Sequence, residues 1–145
     1  MTTASSTIGR EQRAEAILRH QIVSVRYQVA DVNRAIEFYT QLLGFALDQR
    51  QGPFAAVSLG NLRLILSGPG TSGARPMPDG QKQQPGGWNR ILVYVEDLEE
   101  RVRSLTEAGV PFRNAIETGQ GGSQILIEDP DGNPIELHQP PGTMK

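Results

Sequence analysis

Two stretches of alternating apolar and polar residues, separated by a long glycine- and proline-rich segment, organise this chain. Over 22–29, Val23, Val25, Tyr27 and Val29 share one parity, while Ser24, Arg26 and Gln28 share the other with Ile22. That period of two predicts a strand with one apolar face. Asp31 is a natural N-cap for a helix running to about Leu43, with Ala35, Ile36, Tyr39, Leu42 and Leu43 on one stripe and Gly44 as its stop. Strands are then predicted at 45–50, 54–59 and 62–67, the last two joined by a Gly60-Asn61 hairpin turn.

The pattern recurs in the second half. Over 90–95, Ile91, Val93 and Val95 take the core parity and Arg90, Leu92 and Tyr94 the opposite one. Asp97 caps the next helix and Glu100, three residues on, completes a capping box. Leu98, Val102, Leu105 and Ala108 form its buried stripe, and Gly109 ends it. Further strands are predicted near Phe112, over 123–128 and over 134–138. Val29-Ala30-Asp31-Val32 matches Val95-Glu96-Asp97-Leu98, and Gly60-Asn61 matches Gly132-Asn133. Each βαβββ unit is too small to close its own core, so one α+β domain of two repeats is expected. Its divisions are 1–20 (a tail and a short helix over 11–19, with His20 exposed at the helix end), 21–67, 68–87, 88–140 and a tail over 141–145.

Composition narrows the chemistry. The 145 residues hold no cysteine and only two histidines, His20 and His138, so any metal would need His, Asp or Glu ligands. A net charge of −2 without a basic stripe argues against nucleic acid. No run approaches a membrane span and the N-terminal residues lack the apolar core of a signal peptide, so a cytoplasmic protein is expected. The segment 68–87, with six glycines and four prolines, cannot form core and reads as a linker or a lid, with Arg75 and Lys82 as possible ligand contacts.

The run 125–138 is the most informative. Its Asp129-Pro130-Asp131-Gly132-Asn133-Pro134 cluster is a turn, after which Ile135 and Leu137 face the core while Glu136 and His138 face away. Together with Val-Ala-Asp-Val-Asn-Arg-Ala-Ile-Glu-Phe-Tyr and Leu-Leu-Gly-Phe (29–39, 42–45), the run 128–137 resembles the vicinal-oxygen-chelate superfamily of glyoxalases, bleomycin-resistance proteins and extradiol dioxygenases. The likeness covers about residues 21–140. It implies curled mixed sheets with helices on the outer face, each repeat forming half of a cup, and a homodimer.

Metalloenzymes of that superfamily carry ligands at four strand positions, which fall here on Ser24, Leu64, Arg90 and Glu136. Only the carboxylate is retained, and a guanidinium repels a divalent cation. No cofactor is therefore expected. If a divalent metal is present, Glu136 and His138 are its ligands.

The expected function is sequestration of a small, partly apolar or aromatic molecule in the cup; the alternative is a lyase, isomerase or dioxygenase-like enzyme. Glu136, His138 and Tyr94 are the catalytic candidates, His138 as an acid/base or merely a rim residue. Arg90 could pair with Glu136 in a ligand-facing or a purely structural bridge. Ser24, Arg26, Gln28, Leu64, Trp88, Arg90 and Leu92 are the ligand-binding candidates. Leu62, Leu64, Leu66 and Leu92 are expected to line one apolar cup. Trp88 could stack on a ligand, plug the cup or cover a dimer seam.

Overall fold

The computed structural model describes residues 23–142 together with Glu11, Gln12 and Glu15, which are helical. The rest of the expected N-terminal tail and helix, including His20, and residues 143–145 lie outside the described residues. The first repeat runs β1 (Val23–Gln28), α1 (Val32–Glu37), β2 (Ala46–Gln51), β3 (Phe54–Leu59) and β4 (Leu62–Ser67). The second runs β5 (Ile91–Tyr94), α2 (Leu98–Glu107), β6 (Glu117–Gly119), β7 (Gly122–Glu128) and β8 (Pro134–Gln139). Each builds a mixed four-stranded sheet, ordered β1-β4-β3-β2 and β5-β8-β7-β6. In each, the first strand pairs in parallel with the last, because the helix crossover returns the chain in the same direction.

Local chemistry accounts for most boundaries. Asp31 accepts from the Asn33 and Arg34 amides and Asp97 from the Glu100 amide, satisfying donors that a helix start leaves orphaned. The capping box is only half formed, since the Glu100 carboxylate accepts from Arg103 instead. The first helix is α-helical only to Glu37 and continues as a π-turn over Phe38–Leu42. Gly44 then takes φ 81°, a left-handed conformation that favours glycine. Ala108, expected on the buried stripe, is exposed just beyond the end of α2. The strand expected near Phe112 is a single bridge to Ile127, and the edge strand proper lies later, at Glu117–Gly119.

One apolar cluster joins both repeats, including Tyr27, Tyr39, Leu64 and Leu66 from the first and Ile91, Leu105, Ile127 and Leu137 from the second. Full burial of a leucine there contributes roughly 1.5–3 kcal/mol. The register corrects the expected cup. Val25 pairs with Leu64 and Tyr27 with Leu66, so β4 turns its leucines inward with the apolar face of β1. Leu64 and Leu66 are fully buried and Leu62 packs against the same cluster. Arg63, Ile65 and Ser67 occupy the other face instead, beside Ser24, Arg26 and Gln28. The opposite choice would have driven the Arg63 guanidinium into the core, which is far costlier than burying leucines.

Polar bonds seam the repeats together. The Tyr27 hydroxyl donates to the Pro134 carbonyl (2.7 Å) and accepts from the Ile91 amide (3.0 Å). Tyr39 donates to the buried Asp129 carboxylate (2.8 Å), which also accepts from the Asp131 amide and from the Asn133 amide and side chain. Asn133 reaches back to the Gln28 carbonyl (2.8 Å), and Asp131 binds the Ala30 amide and Arg34. Burial raises the Asp129 pKa against these bonds, and burial beside Asp129 raises that of Tyr39 well above its usual value. The Asp-Pro-Asp-Gly-Asn turn is therefore a joint between repeats as well as a hairpin.

Candidate functional site

The second sheet brings Arg90, Glu136 and His138 together. Glu136 pairs across the sheet with Leu92, and His138 with Tyr94, so all four side chains share the face away from the core. Arg90 Nε and Nη2 both donate to Glu136 Oε1, at 3.1 and 2.9 Å. His138 Nδ1 lies 3.0 Å from Glu136 Oε2, and its Nε2 lies 2.9 Å from the Gly121 carbonyl. A carbonyl and an ionised carboxylate only accept, so this arrangement suits a ring with an N–H at both positions and favours the protonated form of His138. The Glu136 bond and the Gly121 carbonyl accordingly raise its pKa above the ordinary histidine value. Glu136, 6% exposed, thus has Arg90 on one oxygen and His138 on the other.

This chemistry does not fit a divalent metal. Neither Glu136 oxygen is without a partner, since Arg90 engages one and His138 the other, and in the first sheet Arg63 rather than Leu64 sits beside Ser24. Arg63 bonds Gln49 (3.2 Å) and lies 3.6 Å from Asp48. No group of three or more His, Cys, Asp or Glu side chains is placed to hold a metal ion among the described residues.

A cleft of about 550 Å³ opens where β1 meets β5. Arg26, Gln28, Arg90 and Leu92 line it, as does Asn133, which sequence reasoning read only as part of a turn. Its matching place beside Gly132, in register with Gly60-Asn61, disguised it as turn chemistry. Gln84 and Gly86 from the long loop close one side of the cleft. Among the bonds that hold the loop down, Gln28 Nε2 donates to the Gly73 carbonyl (2.8 Å), and the Gly86 amide donates to Asn133 Oδ1 (2.8 Å). Thr71 and the short 3-10 turn Ser72–Ala74 shape the first of these contacts. The Arg75 carbonyl accepts from Gln83, and the exposed Lys82 borders a smaller depression beside Gln28 and Ser67.

Other candidates are dispersed. Leu64 is in the core and cannot line the cleft. Ser24 is exposed on β1. Trp88 is 68% exposed with the Arg113 guanidinium 4.7 Å from its ring centre, outside the cleft lining, where Arg113 also bridges Glu128 and the Gly87 and Gly132 carbonyls. Tyr94, 69% exposed, meets the His138 ring edge-on at 5.8 Å. A second depression, about 380 Å³ between α1 and the 108–111 turn, includes Arg34 and Glu128, both already paired. It lies away from the Glu136 cluster, and the cleft at β1 and β5 is the better candidate.

Comparison with known proteins bears on the fold and the family. A family model described as Glyoxalase/Bleomycin resistance protein/Dioxygenase superfamily matches residues 21–137. The chain is 30% identical to glutathione transferase FosA of Serratia marcescens, over 76% of this chain and 74% of that protein. It is 26% identical to lactoylglutathione lyase of Pseudomonas putida, over 88% of this chain and 87% of the relative. Among solved structures it superposes on TnmS3, an antibiotic binding protein from Streptomyces sp. CB03234, with a TM-score of 0.61 and 27% identity. That match covers 81% of this chain and 93% of the other.

Proposed function

Because this chain belongs to the Glyoxalase/Bleomycin resistance protein/Dioxygenase superfamily, we propose that it binds a small, partly apolar or aromatic molecule in the β1–β5 cleft without a catalytic metal. One observation carries the reading: Arg90 and His138 engage both oxygens of Glu136, the single retained member of the ligand pattern. Removing either cation to free an oxygen would leave a charge unpaired, which costs more than an exposed pair returns. The mixture of apolar Val25, Leu62 and Leu92 with amides and arginines in the cleft suits a small organic molecule. The antibiotic-binding character of TnmS3 agrees with this reading. We extend it to a homodimer, since Leu92 and Tyr94 stay exposed on the open face of the second sheet.

A second reading is an enzyme using His138 or Tyr94 as acid/base. The titratable His138 ring, oriented by the Glu136 carboxylate beside Tyr94, favours it. The deciding experiment is elemental analysis of purified protein combined with titration of a hydrophobic drug. Substoichiometric metal and saturable binding without product support the binding protein. A stoichiometric divalent metal that disappears in Glu136→Ala sinks the metal-free reading, and product formation that is lost in His138→Gln establishes the enzyme.

A further inference from the structure

We infer that the cleft selects an organic anion, with the carboxylate-type head of the ligand held between Arg26 and Arg90. This rests on the binding reading above and adds the charge of the ligand. Arg26 and Arg90 are the charged side chains among those lining the cleft, and no carboxylate lines it. The other polar lining side chains there, such as Gln28, Asn89 and Asn133, are neutral amides able to donate to the same head. Arg90 is already committed in part, through its bonds to Glu136 Oε1.

Arg26 is different. Its Nη1 donates to the Ser67 hydroxyl at 2.8 Å, and it has no carboxylate partner among the described residues. A guanidinium carries five N–H donors in a fixed fork, so most of this one's capacity is uncommitted. Although Arg26 is exposed, its bond to Ser67 and its contact with the long loop orient it. A Cβ added at Gly73 would collide with the Arg26 guanidinium, and the neighbouring Gln28 fixes the same loop through the Gly73 carbonyl. A cation oriented in this way without a carboxylate partner suits an anion, because no counter-ion has to be displaced. Its planar fork matches a carboxylate in two parallel bonds. Val25, Leu62 and Leu92 then leave room for an apolar body, and a cation of the same shape meets repulsion.

Calorimetric titration of the full chain with cinnamate, cinnamamide and cinnamylammonium tests this, since the three share a body and differ in head charge. Cinnamate is expected to bind about tenfold or more tightly than cinnamamide, the range of a charge-assisted bond. Arg26→Gln should collapse that preference, costing cinnamate far more affinity than cinnamamide, and Arg26→Lys should retain part of it. Should Arg26→Gln fail to fold, added salt supplies the same test on the unaltered protein, weakening cinnamate and not cinnamamide. Equal affinities for cinnamate and cinnamamide, or equal losses for both in Arg26→Gln, overturn the anion assignment and leave the binding reading standing. No binding of any of the three overturns the binding reading with it.

Discussion

Glu136 shows how a carboxylate can keep its position while changing its partners. Arg90 lies on one oxygen and His138 on the other, so the residue serves as the counter-ion of two cations. Because the folded chain raises the His138 pKa, the stabilisation from this pair is complete below the unfolded value of about 6.5 and is lost as pH rises through the folded value. Nitrogen-detected NMR should find both His138 ring nitrogens protonated at pH 6, with a midpoint above the ordinary histidine value. Glu136→Gln should lower that midpoint, and an unchanged midpoint would remove Glu136 as its cause. Glu136→Ala should also cost about 1–3 kcal/mol in urea unfolding, a range tempered by the part-exposure of Arg90.

At the scale of elements, register decides which residues can meet a ligand. The Gly60-Asn61 turn sets Leu59 opposite Leu62, so Ser58 faces Arg63 and Val57 faces Leu64. Leu64→Ala should therefore cost about 2–5 kcal/mol, a cavity in the shared core. Ile65→Ala, half-buried on the other face, should cost less than half as much in the same denaturation experiment. The reverse ranking would show that β4 faces the other way. Tyr27 tests the joint between repeats. Tyr27→Phe strips the Ile91 amide and the Pro134 carbonyl of their shared partner and should cost about 1–3 kcal/mol, with amide exchange at Ile91 accelerating first.

For the whole molecule, the long loop and the seam between repeats act on the same cleft. Gln28 and Asn133 each hold the loop, and each also belongs to the cleft wall. Ligand occupancy should therefore protect the 68–87 segment from limited proteolysis, and Gln28→Ala should accelerate cleavage there in the unliganded protein. Cleavage indifferent to both would count against reading this segment as a lid. No helix among the described residues is long and apolar enough to cross a membrane.

Alternation, capping aspartates and paired turn signals were enough to read most strands, the helix starts and the repeat from sequence, because these depend on neighbours along the chain, whereas the mixed sheets were implied by the family resemblance. The parity of β1, β5 and β8 was equally legible, and with it the shared face of Arg90, Glu136 and His138. The face of β4 was not, because Leu-Arg-Leu-Ile-Leu-Ser offers apolar residues at both parities and pairing with Val25 and Tyr27 decides between them. The place of Trp88 against Arg113, the loop contact on Arg26 and the double engagement of Glu136 were likewise settled only in three dimensions. Apart from the Glu136–His138 bond, each joins residues far apart in sequence, and such contacts are fixed by how the chain packs in three dimensions.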